Sequence, residues 1–433
     1  MKQILSLLCL SALCAAASAQ DANVPSFLTL TDAKKIALKY HPEIREANYL
    51  VLAAQEAVME TRSGFFPTVN LYADAVGATS EGERILAGGL NNPSVYDRAA
   101  GGAQVNQLIT DFGKTANLTA TSKYQARAEG QNANTTREQV LLQAEATYYQ
   151  ALGAQAVLRV ARQTLDTRNA LLEQITALAT NKLRSELDVS FAQVQVQQAQ
   201  LLVESSQNNA DAAMASLSDA LGYNEFHQFK LADRSPSTNS LSSDISGMVQ
   251  TALTHRPELL SLRDDREAAM HFARSQRDAR LPTVAAVGVA GDAPWRNDSD
   301  LKKDDYFAGG VQLSVPVFAG GLYVARQREA DDRARADDEL LRSVENNVIR
   351  DVRIAWLNLN DAVQQLETTK KLEANANEAF ILAQARYSTG ISSIVELSDA
   401  QLNLTQAQIA EANASYNVLI QQANLDYQTG LIE

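Results

Sequence analysis

Two textures of apolar and polar positions alternate along this chain. In the first, small and aliphatic residues recur three and four positions apart, as in "LLQAEATYYQAL" (141–152) and "QLNLTQAQIAEANASYNVLI" (401–420). Proline is absent from 94 to 235 and again after 316, and these spans are rich in Ala, Gln, Leu, Glu and Arg, all good helix formers. The pattern predicts a helix over 114–180, which would reach roughly 100 Å. A helix that long needs coiled-coil-like packing along its length. In the second texture, apolar and polar residues alternate. "TVNLYADAVGA" (68–78) sets Val69, Leu71, Ala73 and Ala75 on one face and Asn70, Tyr72 and Asp74 on the other. "YFAGGVQLSVPV" (306–317) sets Phe307, Val311, Leu313 and Val315 opposite Gln312 and Ser314. "GGAQVNQLI" (101–109) and "TVAAVGVAG" (283–291) are weaker versions. Each is about the length of a tilted membrane strand. Polar, turn-rich segments at 80–94 and 292–305 separate the members of each pair, so two β-hairpins are expected, at about 67–109 and 282–317.

The chain is written twice. "ALKYHPEI" (37–44) reappears as "ALTHRPEL" (252–259), and at the same offset Arg62 matches Arg277 and "PTV" at 67–69 matches "PTV" at 282–284. Further on, 183–222 aligns without a gap to 391–430, pairing Ser185 with Ser393, Ser190 with Ser398, Gln193 with Gln401 and Gly222 with Gly430. Chance similarity of Ala/Gln-rich helices does not account for the shared "PTV" and glycines. The expected organisation is a first repeat over 20–222, a polar linker or equatorial segment over 223–248, and a second repeat over 249–433. Each repeat holds a helix, a hairpin and a long helical hairpin, at 113–221 and 321–429. His41-Pro42 and Arg256-Pro257 read as helix breaks, since proline suits the first helical position. "FGK" (112–114) and "GGL" (320–322) read as strand-to-helix turns.

Composition narrows the function. Lys2, the apolar "ILSLLCLSALC" and the "ASAQ" site read as a secretory signal over 1–19, too short to span a membrane. Leu13 stands before Cys14 where a lipoprotein has a small residue. Both cysteines lie in this leader, so the mature chain would hold no disulfide or thiolate metal site. A formal net charge of −13 makes a nucleic-acid partner a poor fit. The four histidines form no metal or catalytic spacing, and no Gly-rich phosphate loop is present, so neither a cofactor nor an enzymatic activity is expected.

Alternation alone leaves two readings open. The four strands form a soluble sheet packed on helices, or they enter a membrane. Four strands cannot close a barrel, and an open edge in lipid costs several kcal/mol per unpaired group. A membrane location therefore requires several chains to pool their strands.

The chain resembles the TolC-like family of outer-membrane efflux and secretion channels over about 27–430. The carriers are "LTLTDAKKIALKYHPEI" with its echo "ALTHRPEL", "GFFPTVNLYAD" with "ARLPTVAAVGVAG", "QLITDFGKT" with "SVPVFAGGL", and "RYSTGISSIVELSDAQL" (386–402). The resemblance implies a mainly α protomer with long antiparallel helices and four strands. Three copies would close a twelve-stranded barrel in the outer membrane above an α-helical barrel crossing the periplasm. It implies passive conduction, with a periplasmic adaptor (membrane fusion protein) and an inner-membrane transporter of RND, ABC or MFS type as partners, and outer-membrane lipid around the barrel.

The resemblance also assigns residues. Glu396 and Asp399, three apart on one helix face, would form lumen carboxylate rings that favour cations; without it they are an ordinary solvated face. Tyr387 and Asp188 match a tip tyrosine and its aspartate partner. Ser392 stands where the best-known member has a tip arginine, so that bridge is absent as drawn, and Lys182 and Arg184 are candidate replacement cations. The turns at 180–186 and 388–394, with Lys182, Ser388 and Gly390, would meet the adaptor. Trp295, Tyr306 and Phe307 read either as an interfacial aromatic belt or as loop cover. The competing functions are a soluble periplasmic coiled-coil adaptor or structural protein, which the duplicated hairpins disfavour, and a secreted enzyme, for which no clustered catalytic groups are present.

Overall fold

The structure is a computed structural model and describes residues 27–76, 98–233, 244–296 and 305–432. The expected signal segment, residues 234–243 of the expected linker and most of the turn-rich segments at 80–94 and 292–305 lie outside the described residues, as does the side chain of Trp295.

Elements follow one another as a doubled series. A two-residue strand β1 (Phe27–Leu28) precedes α1 (Leu30–Tyr40), α2 (Pro42–Ser63), β2 (Thr68–Val76), β3 (Arg98–Thr110), α3 (Lys114–Thr180) and α4 (Glu186–Ala220). After the short β4 (Lys230–Leu231) come α5 (Ile245–His255), α6 (Pro257–Asp278), β5 (Thr283–Arg296), β6 (Asp305–Ser314), α7 (Leu322–Ser388) and α8 (Ile394–Thr429). Among the described residues no helix is long and apolar enough to cross a membrane.

Local chemistry sets the boundaries. Pro42 and Pro257 each open a helix, and the preceding His41 and Arg256 hold extended backbone that both ends one helix and starts the next. The α3 and α7 helices, 67 residues each, start after left-handed glycines, Gly113 at φ 112° and Gly321 at φ 82°. The duplication is also visible in packing. Gly222 ends the first helical hairpin so close to the backbone of His41 that a Cβ there would lie 2.8 Å from its Cα. Gly430 does the same against Arg256, at 3.2 Å from its backbone nitrogen.

The two repeats interleave. Near the sheet α3 packs on α2 and on α6 of the other repeat, where Asn117 donates to Asp278 Oδ2 at 2.8 Å and Ser261 to Asn132 at 2.7 Å. Farther along, α3 packs on α4 and α8, and α7 on α8. The largest apolar core gathers Tyr148, Leu152, Leu217, Leu221 and Phe229 at mid-length. There Tyr148 donates to the carbonyls of Leu28 (3.0 Å) and Ala232 (2.7 Å), pinning the parallel β1–β4 pair beneath α3.

The sheet is antiparallel in the order β2-β3-β5-β6, so β2 and β6 are open edges. Paired residues share a face, which lets rows be read across all four strands. Leu71, Ala103, Ala290 and Phe307 form one row, and Val69, Val105, Gly288 and Gly309 the next, so the middle of this face is apolar, with Gln107 toward the helices and Asp292 and Asp305 toward the loops. The opposite face carries Asn70 and Gln104 in one row and Tyr72, Gly102, Gly291 and Tyr306 in another. The Tyr306 ring covers Gly291 and reaches Gly102, where no Cβ fits. Among the described residues no helix covers the apolar face: Leu71 is 83% and Phe307 84% exposed.

Candidate functional site: the helical turns farthest from the sheet

The α3 and α7 helices carry the chain away from the sheet and return through short turns at 181–185 and 389–393. Both turns need one left-handed residue. At the second it is Gly390 (φ 78°), which suits the conformation; at the first it is Lys182 (φ 60°), held there against the usual preference. Serines restart the helices. Ser185 accepts from the Leu187 N–H at 3.1 Å, and Ser393 from the Glu396 N–H at 3.3 Å.

An apolar plug joins the four helices at this end. Ile175, Ala192, Ala383, Tyr387, Ile394 and Leu397 are buried together. Tyr387 is 3% exposed, and its hydroxyl has no hydrogen-bond partner among the described residues. Burial pushes the phenol up from its ordinary range, with Arg184 acting the other way and Asp188 adding to the rise.

Arg184 reaches across from the first turn. Its guanidinium lies 4.4 Å from the Tyr387 ring centre, and Nη2 donates to the Tyr387 carbonyl at 2.9 Å. That carbonyl belongs to the last turn of α7, where it also accepts from the Gly390 N–H at 3.0 Å and the helix dipole favours a cation. Asp188 is engaged elsewhere: its Oδ2 accepts from the Ser185 N–H at 3.4 Å in a capping box at the start of α4. Lys182 stays exposed at the turn, and Ser388 donates to the Ala385 carbonyl at 2.7 Å. Ser392 is buried, and its hydroxyl has no partner among the described residues.

Glu396 and Asp399 both face solvent in the single chain, but their settings differ. Glu396 meets Arg386 at 3.2 Å across the turn, so its charge is partly offset; no ion pair is formed by Asp399 among the described residues. Sequence reasoning passed over Arg386, although a helical hairpin with so short a turn places 386 beside 396. It also passed over Arg168, which is 4% exposed on α3 and, among the described residues, donates to Ser398 Oγ (3.4 Å) and the Ser398 carbonyl (3.3 Å). Burial lowers its guanidinium to about 10. Its counterpart in the second repeat is Ala376, so the duplication gave no signal for it.

Comparison with known proteins places this geometry. The model of the family described as outer membrane efflux protein matches residues 34–223 and 248–431. The chain is 25% identical over 427 residues to outer membrane protein TolC of Escherichia coli (strain K12), covering 95% of this chain and 85% of that one. It is 22% identical over 335 residues to outer membrane efflux protein BepC of Brucella suis biovar 1 (strain 1330), covering 76% and 71%. A crystal structure of a membrane protein from Pseudomonas aeruginosa superposes with a TM-score of 0.79 at 22% identity, covering 93% of each chain. The two matched blocks are the two repeats, and together they span most of the chain, which therefore belongs to the outer membrane efflux protein family.

Proposed function

We propose that three copies of this chain form an exit duct across the outer membrane, through which an export system passes its cargo without using energy at this step. The observation that carries the reading is the sheet. One face is apolar through its middle rows, both edges are open, no helix among the described residues covers that face, and the strands run 9 to 14 residues. Such a sheet is stable in lipid only if its edges are paired. The sheet alternates direction throughout, so β6 of one copy meets β2 of the next as an antiparallel pair, and three copies close twelve strands. The polar face with Asn70, Tyr72 and Gln104 then lines the lumen.

The helical turns are the proposed gate and docking end. A periplasmic adaptor would meet 180–186 and 388–394, and an inner-membrane transporter would supply energy and choose the cargo, whether small molecules or a secreted protein. Closure at this end rests on Arg184 gripping the end of α7, in place of an arginine at position 392. The reading is tested by recovering the chain from outer membranes in detergent and recording single channels in planar bilayers. A detergent-dependent trimer that conducts supports it; a detergent-free periplasmic monomer overturns it.

A further inference from the structure

Exposed apolar side chains also gather at the four helix–strand junctions. Thr68 pairs with Asn106, Thr110 with Val284 and Thr283 with Ser314, so all four junctions sit at one end of the sheet. Phe65 and Phe66 lie at the α2–β2 junction, Phe112 at β3–α3, Leu281 at α6–β5, and Val317 and Phe318 at β6–α7. Val317 is 90% and Phe318 89% exposed, and the other four are exposed as well.

Charge is sorted at the same level. Two acids there are buried and occupied. Asp111 accepts from the backbone N–H groups of Gly113 (3.3 Å) and Thr115 (2.7 Å). Asp278 accepts from Asn117 (2.8 Å) and Arg277 (3.1 Å). Three exposed cations remain, Arg62, Lys114 and Arg280, and none forms an ion pair among the described residues. In a chain of net charge −13, the two acids next to the strand ends are buried and the three cations are exposed, with Glu60 one turn back on α2 the nearest exposed acid.

We infer that this belt is a binding surface for anionic phospholipid headgroups: the apolar side chains enter the acyl boundary while Arg62, Lys114 and Arg280 meet the phosphates. The inference rests on the membrane reading of the sheet. Two features on the belt favour a lipid surface over another protein. The apolar residues lie at the ends of the strands that the membrane reading puts in lipid, and long cationic side chains beside exposed aromatics are the arrangement that suits a headgroup boundary. Each cation near an anionic bilayer surface contributes on the order of a fivefold preference at low salt.

The test reconstitutes the full-length oligomer into vesicles of phosphatidylcholine alone or phosphatidylcholine with phosphatidylglycerol, and measures the thermal midpoint in each. The expected result is a higher midpoint with phosphatidylglycerol, a difference that shrinks in high salt. It is expected to vanish in the triple variant Arg62→Gln/Lys114→Gln/Arg280→Gln, which leaves the phosphatidylcholine midpoint unchanged. Equal midpoints in the two lipids, or a difference that survives in the triple variant, overturn the headgroup assignment. Failure to insert into either vesicle overturns the membrane reading instead. A phosphatidylglycerol effect reproduced by free inorganic phosphate in phosphatidylcholine vesicles overturns the assignment to a lipid surface.

Discussion

The Arg184 guanidinium covers the face of the Tyr387 ring at 4.4 Å and holds the Tyr387 carbonyl at 2.9 Å. One side chain thus joins the turn of the first helical hairpin to the end of the long helix in the second. A cation–π contact and a charge-assisted hydrogen bond at a half-buried site together contribute roughly 1–3 kcal/mol. Arg184→Ala is expected to raise the closed-state conductance of the duct. Tyr387→Phe removes a hydroxyl that has no partner among the described residues and is expected to change conductance little. A rise in Tyr387→Phe with none in Arg184→Ala would mean that the hydroxyl, not the arginine, carries closure.

Selectivity separates the two acids beyond the turn. Glu396 is partly neutralised by Arg386, whereas Asp399 has no such partner among the described residues. If both face the lumen, Asp399→Asn lowers cation preference in planar bilayers more than Glu396→Gln, and Arg386→Gln raises it. Unchanged reversal potentials in all three variants would remove the carboxylates from the conduction path.

Backbone strain differs between the two turns. Lys182 occupies the left-handed region that Gly390 occupies in the other repeat. Lys182→Gly is expected to raise stability by about 1 kcal/mol and Gly390→Ala to lower it by about the same amount. Thermal unfolding of the purified oligomer reads both; a loss of stability in Lys182→Gly would show that the lysine side chain does more for the turn than its backbone costs.

Glu138 gives a pH dependence. It lies on α3 beside a cavity of about 570 Å³, also lined by Arg137, His255 and Ile432. Burial pushes its carboxyl up to about 7, with Arg256 opposing. A raised carboxyl favours the folded state while protonated. That contribution is fully present below about pH 4.5, the ordinary value, and is lost as pH rises through about 7. Glu138→Gln is expected to flatten the fall in thermal midpoint between those values. An identical slope in the variant would assign the dependence to other groups.

Much of the fold is legible because it rests on local signals. Proline at the helix starts, glycine at the strand-to-helix turns and the period of apolar residues each act within a few positions, and the helix over 114–180 ends where its pattern does. The same is not true of the tip. The match of Lys182 to Gly390 is readable from the offset, but Arg184 meets Tyr387 only because two helices of 67 residues bring distant turns together. Asp188 shows the converse. Its place three residues after Ser185 is a capping signature, and the cap takes up an oxygen that a reading from relatives would reserve for a latch. Arg168 left no trace at all, because a buried arginine answered by a serine has no characteristic spacing.

The central claim is that the open edges of three copies pair with one another, and it can be read by cross-linking. The two cysteines are Cys9 and Cys14, so Leu71→Cys on β2 and Phe307→Cys on β6 would be the only thiols of a chain cleaved after Ala19. Both positions lie on the apolar face, and a flexible bifunctional thiol reagent tolerates differences in register. The double variant, treated in outer membranes, is predicted to give covalent dimers and trimers and nothing larger, with each single variant giving none. A ladder that runs past three, or monomers alone in membranes that contain the protein, would contradict a closed three-copy barrel.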